Sequence, residues 1–323
     1  MTFPGRQDLT ICFAHVAYRM ADRFAARQTG IRHFQVHTLE EFTARIGEAD
    51  VVSVSMMWRN ELIARAPKLK FIQSISAGLD QYSREALKAA GVRLASGQGV
   101  NARAVAEHAM SLILAMTRQL HFARDNQVKH HWRGMIGDLS KREDEIGGKT
   151  LLIVGLGRIG SHLAMLARAF GMRVIATKRD IASGAGAADA VFTNDALIEH
   201  LPQADFVALT CPLNAQTERL INARALAAMK PSASLINVAR GRVVDEPALL
   251  AALGEGRIAG AGLDCTVEEP LPAASPLWDI PNVLITPHTA GETRRYEDNV
   301  IDLLLENLDR LWRGETELKN GVV

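Results

Sequence analysis

Cysteine is scarce in this chain. Its three thiols, Cys12, Cys211 and Cys265, lie far apart in 323 residues, and an odd, widely spaced set suggests neither a disulfide framework nor a zinc site. Buried small residues in a reducing compartment are expected instead, with no metal. An excess of one charge is also lacking, because 37 basic against 36 acidic residues leave a net charge of +1. No block of like charges is long enough for a nucleic-acid tail, so nucleic acid is not an expected partner. No apolar run approaches the ~18 residues of a membrane span. The N-terminal stretch MTFPGRQDLTICFAHV has no basic start followed by a long apolar core and a small-residue cleavage site. These absences predict a soluble cytoplasmic protein with no membrane partner.

What is present suits two folded domains. The length exceeds one typical core, and 48% hydrophobic with 23% charged residues leaves no part of the chain too polar to fold. The organising stretch is Thr150, the apolar run Leu151, Leu152, Ile153 and Val154, then GLGRIG from Gly155 to Gly160. A buried strand enters a glycine-spaced turn, and the period then becomes helical with Ile159, Leu163, Leu166 and Phe170 on one side. Such a turn binds a dinucleotide. Gly155 permits the tight turn, Gly157 lets the backbone approach a pyrophosphate, and Gly160 lets helix and strand pack closely. The helix N-terminus favours an anion, and Arg158 can add a charged donor.

Strands and helices alternate on both sides of this turn. In the first hundred residues, Leu9 to Ala14, Ala49 to Ser55, Leu69 to Ser76 and Val92 to Ser96 read as strands. Helix-friendly segments at 19–27, 39–46, 59–66 and 83–90 separate them, which predicts a small doubly wound parallel domain. Its Ser76-Ala77-Gly78 turn exposes N–H groups that could bind a carboxylate, although a plain strand-to-helix turn fits the local sequence as well. Trp58, at the end of another strand, is assigned to the same mouth, with packing between helices as the alternative. Residues 101–120 read as one long helix whose surplus of apolar side chains suggests burial on several sides, partly against another subunit. The polar stretch 121–148 follows, and its KREDE run reads as a solvated face.

Five strands are expected after the Gly-rich turn, at 173–177, 205–210, 233–238, 258–264 and 282–286. With residues 151–154 they make six parallel strands, the doubly wound dinucleotide fold, whose ligand lies beyond the strand C-terminal ends. A last amphipathic helix at 292–313 is expected to return to the first domain. The predicted division is therefore 1–98 with 291–323 for the substrate domain and 99–290 for the dinucleotide domain.

Three polar groups arise at or just past those strand ends, and together they suit hydride transfer to a 2-oxo acid. A carboxylate beside a ketone calls for a planar two-pronged cation, here Arg240. The carbonyl oxygen needs a proton as hydride arrives, and His288 has the side chain suited to supply it near neutrality. A carboxylate beside the imidazole fixes its tautomer and favours its charged form, a role open to Glu269 or Glu268. Asp264 can orient the nicotinamide amide. About 20 residues past the turn, an acidic residue would select NAD and a basic one NADP. Lys178 and Arg179 favour NADP(H), while Asp180, one step later, keeps NAD(H) open.

These residues resemble the D-isomer-specific 2-hydroxyacid dehydrogenases. The likeness runs through SISAGLD at 74–80, GVNARAVAEHA at 99–109, GLGRIG at 155–160, CPLNAQTERLIN at 211–222, INVARGRVVDE at 236–246, GLDCTVEEPLP at 262–272 and TPHTAGET at 286–293. It implies a Rossmann domain inserted in a flavodoxin-like substrate domain. It also implies Arg240, Glu269 and His288 as the catalytic set, with Glu269 chosen because the family residue directly precedes the proline, here Pro270. Substrate contacts fall on Trp58, Ala77, Gly78, Arg240 and His288. Cofactor contacts fall on Gly155, Gly157, Arg158, Ile159, Gly160, Lys178, Arg179, Cys211, Pro212, Val238, Ala239, Arg240, Asp264, His288 and Gly291.

The resemblance further implies a homodimer formed through the cofactor domain and the long helix, with His130 to Asp138 reaching the neighbouring subunit. Lys178 stands where NAD-using members carry Asp, as in the glyoxylate/hydroxypyruvate reductase branch. No regulatory domain is expected after Val323, and Glu269, where formate dehydrogenases have Gln, argues against their chemistry. The expected activity is NADPH-linked reduction of a small 2-oxo acid to the D-hydroxy acid. The alternative is a non-catalytic dinucleotide-sensing protein resembling the C-terminal-binding corepressors.

Overall fold

A computed structural model describes residues 3–323. The chain divides into two compact units, one of residues 1–101 with 293–323 and one of residues 102–292. In the first, five parallel strands, β1 (Thr10–Ala14), β2 (Arg32–Val36), β3 (Val51–Val54), β4 (Phe71–Ser74) and β5 (Arg93–Ala95), stand in the order β2-β1-β3-β4-β5. That is the flavodoxin-like order. Alternate residues of each strand face opposite sides. Cys12, Val52, Val54 and Ile72 enter one core, and Ile11, Phe13, Val51 and Phe71 enter the other. Helices α1 (Met20–Ala25), α2 (Leu39–Arg45) and α3 (Arg84–Ala89) connect the strands. α2 starts where Thr38 and Glu41 cap each other's backbone N–H groups.

The second unit begins with α4 (Ala102–Thr117) and α5 (Leu120–Val128). Then come β6 (Thr150–Val154), α6 (Arg158–Ala169), β7 (Arg173–Thr177), β8 (Ala190–Phe192), α7 (Leu197–His200), β9 (Phe206–Leu209), α8 (Ala223–Ala228), β10 (Ser234–Asn237), α9 (Glu246–Gly254), β11 (Gly260–Leu263) and β12 (Val283–Ile285). The seven strands are parallel, in the order β12-β11-β10-β9-β6-β7-β8. The strand order reverses between β6 and β9, which places the ligand-binding switch point at the Gly155 turn. The chain returns to the first unit as α10 (Tyr296–Trp312), which packs on α1.

Four local expectations change. β2 is an additional strand, and its largely part-exposed RHFQV edge has no apolar run to announce it. β8 is also additional, three residues long and preceded by a Gly- and Ala-rich stretch. Residues Asn60–Arg65 form a 3-10 helix rather than an α-helix; Pro67 restricts the residue before it and stops extension. The long helix stops at Thr117, whose hydroxyl bonds back to Ile113 O at 2.7 Å, a local competitor for the helical ladder. Gln119 then takes a left-handed φ of 50°, and α5 starts in a new direction within the stretch expected to be merely polar.

Candidate active site

β6 delivers the chain to a turn that only small residues can make. Gly155 has φ +101°, and a Cβ there would stand 2.8 Å from Cys211 Cα. A Cβ on Gly160 would stand 2.5 Å from Gly155 O. The turn is latched to its neighbours: Gly155 N donates to Thr177 Oγ1 at 3.0 Å, Leu156 N to Thr177 O at 2.7 Å, and Thr210 Oγ1 to Gly155 O at 2.8 Å. Gly157 differs from both, because a Cβ on it would meet nothing within 4 Å. Among the described residues, the N–H groups of Ile159 and Gly160 at the start of α6 meet no acceptor. Free donors at a helix N-terminus beside an open, side-chain-free approach fit a pyrophosphate.

At the end of β7, Lys178 Nζ lies 2.9 Å from Gly184 O, and Arg179 is exposed. Asp180 caps the following turn by accepting from Ala182 N at 3.1 Å. Elsewhere at this edge Cys211, Val238 and Ala239 are buried, Pro212 and Arg158 are exposed, and Gly291 is half-buried. Burial pushes the Cys211 thiol up to about 11 and Cys12 up to about 12, and it raises Cys265 together with the negative charges of Glu269 and Asp264. None of the three is an activated thiolate.

Beyond β10, Asn237 shapes the loop that carries Arg240. Its side chain accepts from Ala239 N and donates to Arg240 O, both at 3.0 Å. The exposed Arg240 guanidinium donates through Nη1 to Ala239 O at 2.7 Å, and its other N–H groups meet no acceptor among the described residues. The next residue must be glycine: a Cβ at Gly241 would lie 2.0 Å from the Thr266 carbonyl. This close approach sets the Arg240 loop against the loop carrying Glu269. Glu269 Oε1 accepts from Thr266 N at 3.0 Å, and Glu246 Oε2 accepts from Val267 N at 3.1 Å. Glu269 Oε2 then pairs with His288 Nδ1 at 2.8 Å. With Nδ1–H committed to a carboxylate, Nε2 is the atom left to exchange a proton.

Asp264 anchors the loop that follows β12. It is 2% exposed, and its oxygens accept from Thr286 Oγ1 at 2.6 Å, Thr289 N at 3.0 Å and Ala290 N at 3.1 Å. Those three bonds tie down the loop on both sides of His288. Glu268 stays outside the pair, offering only its carbonyl to Thr266 Oγ1.

In the first unit the Ser76-Ala77-Gly78 turn is held by its carbonyls. Ser76 O accepts from Gly97 N and Ser74 Oγ, Ala77 O from Ser96 Oγ, and Gly78 O from Ser76 Oγ. Among the described residues, no acceptor meets the N–H groups of Ala77 and Gly78. Trp58 corrects the expectation of a mouth residue: it has no exposed surface, stacks on Tyr82 at 5.7 Å between ring centres and donates to Asn60 Oδ1 at 3.1 Å. A large ring with one polar tip is satisfied better in that core than at a rim. Asn237 and Thr266 were not singled out from the sequence, and Gly241 was noted only as a strand-end neighbour of Arg240. Asn237 and Gly241 lie inside the INVARGR run around Arg240, and Thr266 lies three residues before Glu269.

The family model for the D-isomer specific 2-hydroxyacid dehydrogenase, NAD binding domain, matches residues 110–290. The chain belongs to this family. A glyoxylate/hydroxypyruvate reductase B of Pectobacterium carotovorum is 34% identical over 305 residues, covering 93% of this chain and 94% of that protein. A D-3-phosphoglycerate dehydrogenase of Mycobacterium bovis is 35% identical over 278 residues, covering 85% of this chain but 52% of the relative. The chain thus spans about half the length of that longer relative. A crystal structure of a Thermus thermophilus protein superposes with a TM-score of 0.82 at 33% identity, covering 98% of this chain and 100% of that one.

Proposed function

We propose that the protein reduces a small 2-oxo acid, of the glyoxylate or hydroxypyruvate kind, to the D-2-hydroxy acid with NADPH. The observation that carries this reading is the 2.8 Å Glu269–His288 pair, standing beyond the same strand ends as the dinucleotide turn and Arg240. A bound nicotinamide supplies the hydride to the carbonyl carbon. The N–H groups of Arg240 not engaged with Ala239 O grip the substrate carboxylate and the adjacent carbonyl oxygen. His288 gives the proton on Nε2 to that oxygen as the C–O double bond becomes a hydroxyl, and Glu269 holds the imidazole in the tautomer and direction this needs. In the first unit, the unengaged N–H groups of Ala77 and Gly78 are assigned to a carboxylate.

Lys178 and Arg179 support NADPH, because they add positive charge where the extra phosphate would lie. Asp180, whose Oδ1 accepts from Ala182 N at 3.1 Å, keeps NADH open. The small substrate is supported by the name of the reductase that matches along nearly its whole length. A homodimer is part of the same reading. Among the described residues, six of the fourteen exposed large hydrophobic residues, Leu120, Phe122, Val128, Trp132, Met135 and Leu139, fall in one stretch of the second unit.

Initial rates with a panel of 2-oxo acids, each run with NADPH and NADH at matched concentrations, test the proposal. We expect turnover on glyoxylate or hydroxypyruvate with NADPH ahead. His288→Ala should lose at least about 100-fold in kcat while NADPH binding stays intact. Cofactor binding with no turnover of any acid would favour a dinucleotide-sensing protein, and near-normal turnover of His288→Ala would remove the assigned proton donor.

A further inference from the structure

The segment that carries His288 is held on both sides by one carboxylate. Before the histidine, Asp264 takes the Thr286 hydroxyl at 2.6 Å; after it, Asp264 takes the N–H groups of Thr289 and Ala290 at 3.0 and 3.1 Å. Between these ties His288 sits at φ +54°, a conformation that a side chain with a Cβ keeps only where its surroundings hold it. The same Thr286 oxygen lies 2.9 Å from His108 Nε2, although His108 belongs to α4 and is 178 residues away in sequence. His108 Nε2 is also 3.5 Å from Asp264 Oδ1.

Counting protons fixes the direction of this chain. A hydroxyl has one hydrogen, and a carboxylate has none to offer. Thr286 therefore donates to Asp264 and turns a lone pair to His108, so His108 Nε2 carries the hydrogen and donates to Thr286. The relay runs from α4 through Thr286 to Asp264, and from Asp264 to the backbone on the far side of His288.

We propose that Thr286 and His108 are positioning residues for His288, holding through Asp264 the left-handed turn that aims its imidazole at Glu269. Neither residue touches the reacting atoms. Each acts on the rate through the accuracy with which Nε2 of His288 is presented, and misplacement of a catalytic group by about 1 Å can cost about 100-fold in rate. This inference rests on the reading of His288 as the proton donor.

The test compares Thr286→Val, which keeps the shape and removes the hydroxyl, with Thr286→Ser, which keeps the hydroxyl. Thr286→Val should lose about 10- to 100-fold in kcat with KM for NADPH and for glyoxylate changed by less than about twofold, and Thr286→Ser should restore most of the rate. His108→Leu and His108→Gln form a second pair that leaves the Asp264–Thr286 bond in place. Leu removes the donor and should lower kcat, whereas Gln offers an amide N–H at similar reach and should recover it. A Thr286→Val enzyme with kcat within about twofold of the parent, while His288→Ala is inactive, overturns the positioning role and leaves the catalytic reading standing. Equal rates for His108→Leu and His108→Gln overturn the part assigned to His108. Near-normal turnover of His288→Ala overturns the reading beneath both.

Discussion

Arg240 is an arginine for reasons of shape as much as charge. One of its N–H groups is committed to Ala239 O, and the remaining donors of a rigid planar fork can meet a carboxylate with two parallel bonds. Lysine offers a point charge that cannot reproduce that fork. Arg240→Lys should therefore keep the fold and NADPH affinity yet lose about 100-fold in kcat/KM, equivalent to about 2.7 kcal/mol of transition-state stabilisation. Steady-state rates on the best 2-oxo acid measure this, and a loss smaller than about threefold would mean that charge alone suffices. Legibility at this scale was uneven. Arg240 and His288 were singled out because the chemistry narrows the residue types and the fold puts strand ends together, whereas Glu269 was separated from Glu268 by the family resemblance alone; the structure pairs Glu269 with His288 at 2.8 Å. Trp58 could not, because its local sequence is the same whether the ring faces a mouth or Tyr82, and only packing across the first unit decides.

At the scale of elements, the β6–turn–α6 unit divides the labour of its three glycines. Gly155 and Gly160 answer to the protein itself, since a Cβ on either would collide with backbone. Gly157 answers to nothing in the protein, which leaves the approaching ligand as its reason. The two kinds separate by experiment. Gly160→Ala must push α6 off the Gly155 carbonyl and should destabilise by ~1–3 kcal/mol. Gly157→Ala should stay within about 0.5 kcal/mol of the parent in stability but raise the Kd for NADPH by about tenfold or more. Thermal unfolding and cofactor titration of both variants check this, and unchanged affinity in Gly157→Ala would take the pyrophosphate away from this turn. β6 and α10 were legible because burial imposes their patterns, a continuous apolar run in β6 and an apolar stripe of helical period in α10. β2 and β8 were not, because a short or part-exposed strand shows few apolar positions and takes its identity from the neighbour it pairs with. The break at Gln119 was hidden for a related reason: Thr117 and Gln119 are both tolerated in a helix, and a threonine hydroxyl can bond back to the i−4 carbonyl without ending one.

For the whole molecule, the sequence carried the domain count and strand alternation, but it marked the strong apolar character of residues 101–120 without saying where that surface goes. Within the second unit, α4 buries Val105, Ala106, Ala109, Met110, Leu112 and Ile113 against the dinucleotide sheet and α6. The apolar side chains left over lie further on, in and after α5. Trp132 and Met135 are 97% and 102% exposed, and Val128 and Leu139 are 64% and 75% exposed. Exposed apolar side chains gathered in one segment are what an interaction surface requires. A second copy of this chain is the partner the proposal assigns to it. Sedimentation equilibrium at micromolar concentration should then give about 70 kDa, twice the 35.2 kDa of one chain. Trp132→Glu with Met135→Glu places two charges where apolar contact would form, without touching either core, and should shift the protein towards 35.2 kDa with its thermal unfolding retained at high concentration. A parent protein that sediments as a single chain would leave this segment to another partner, and a double variant that stays at twice the chain mass would place the dimer contact elsewhere on the second unit.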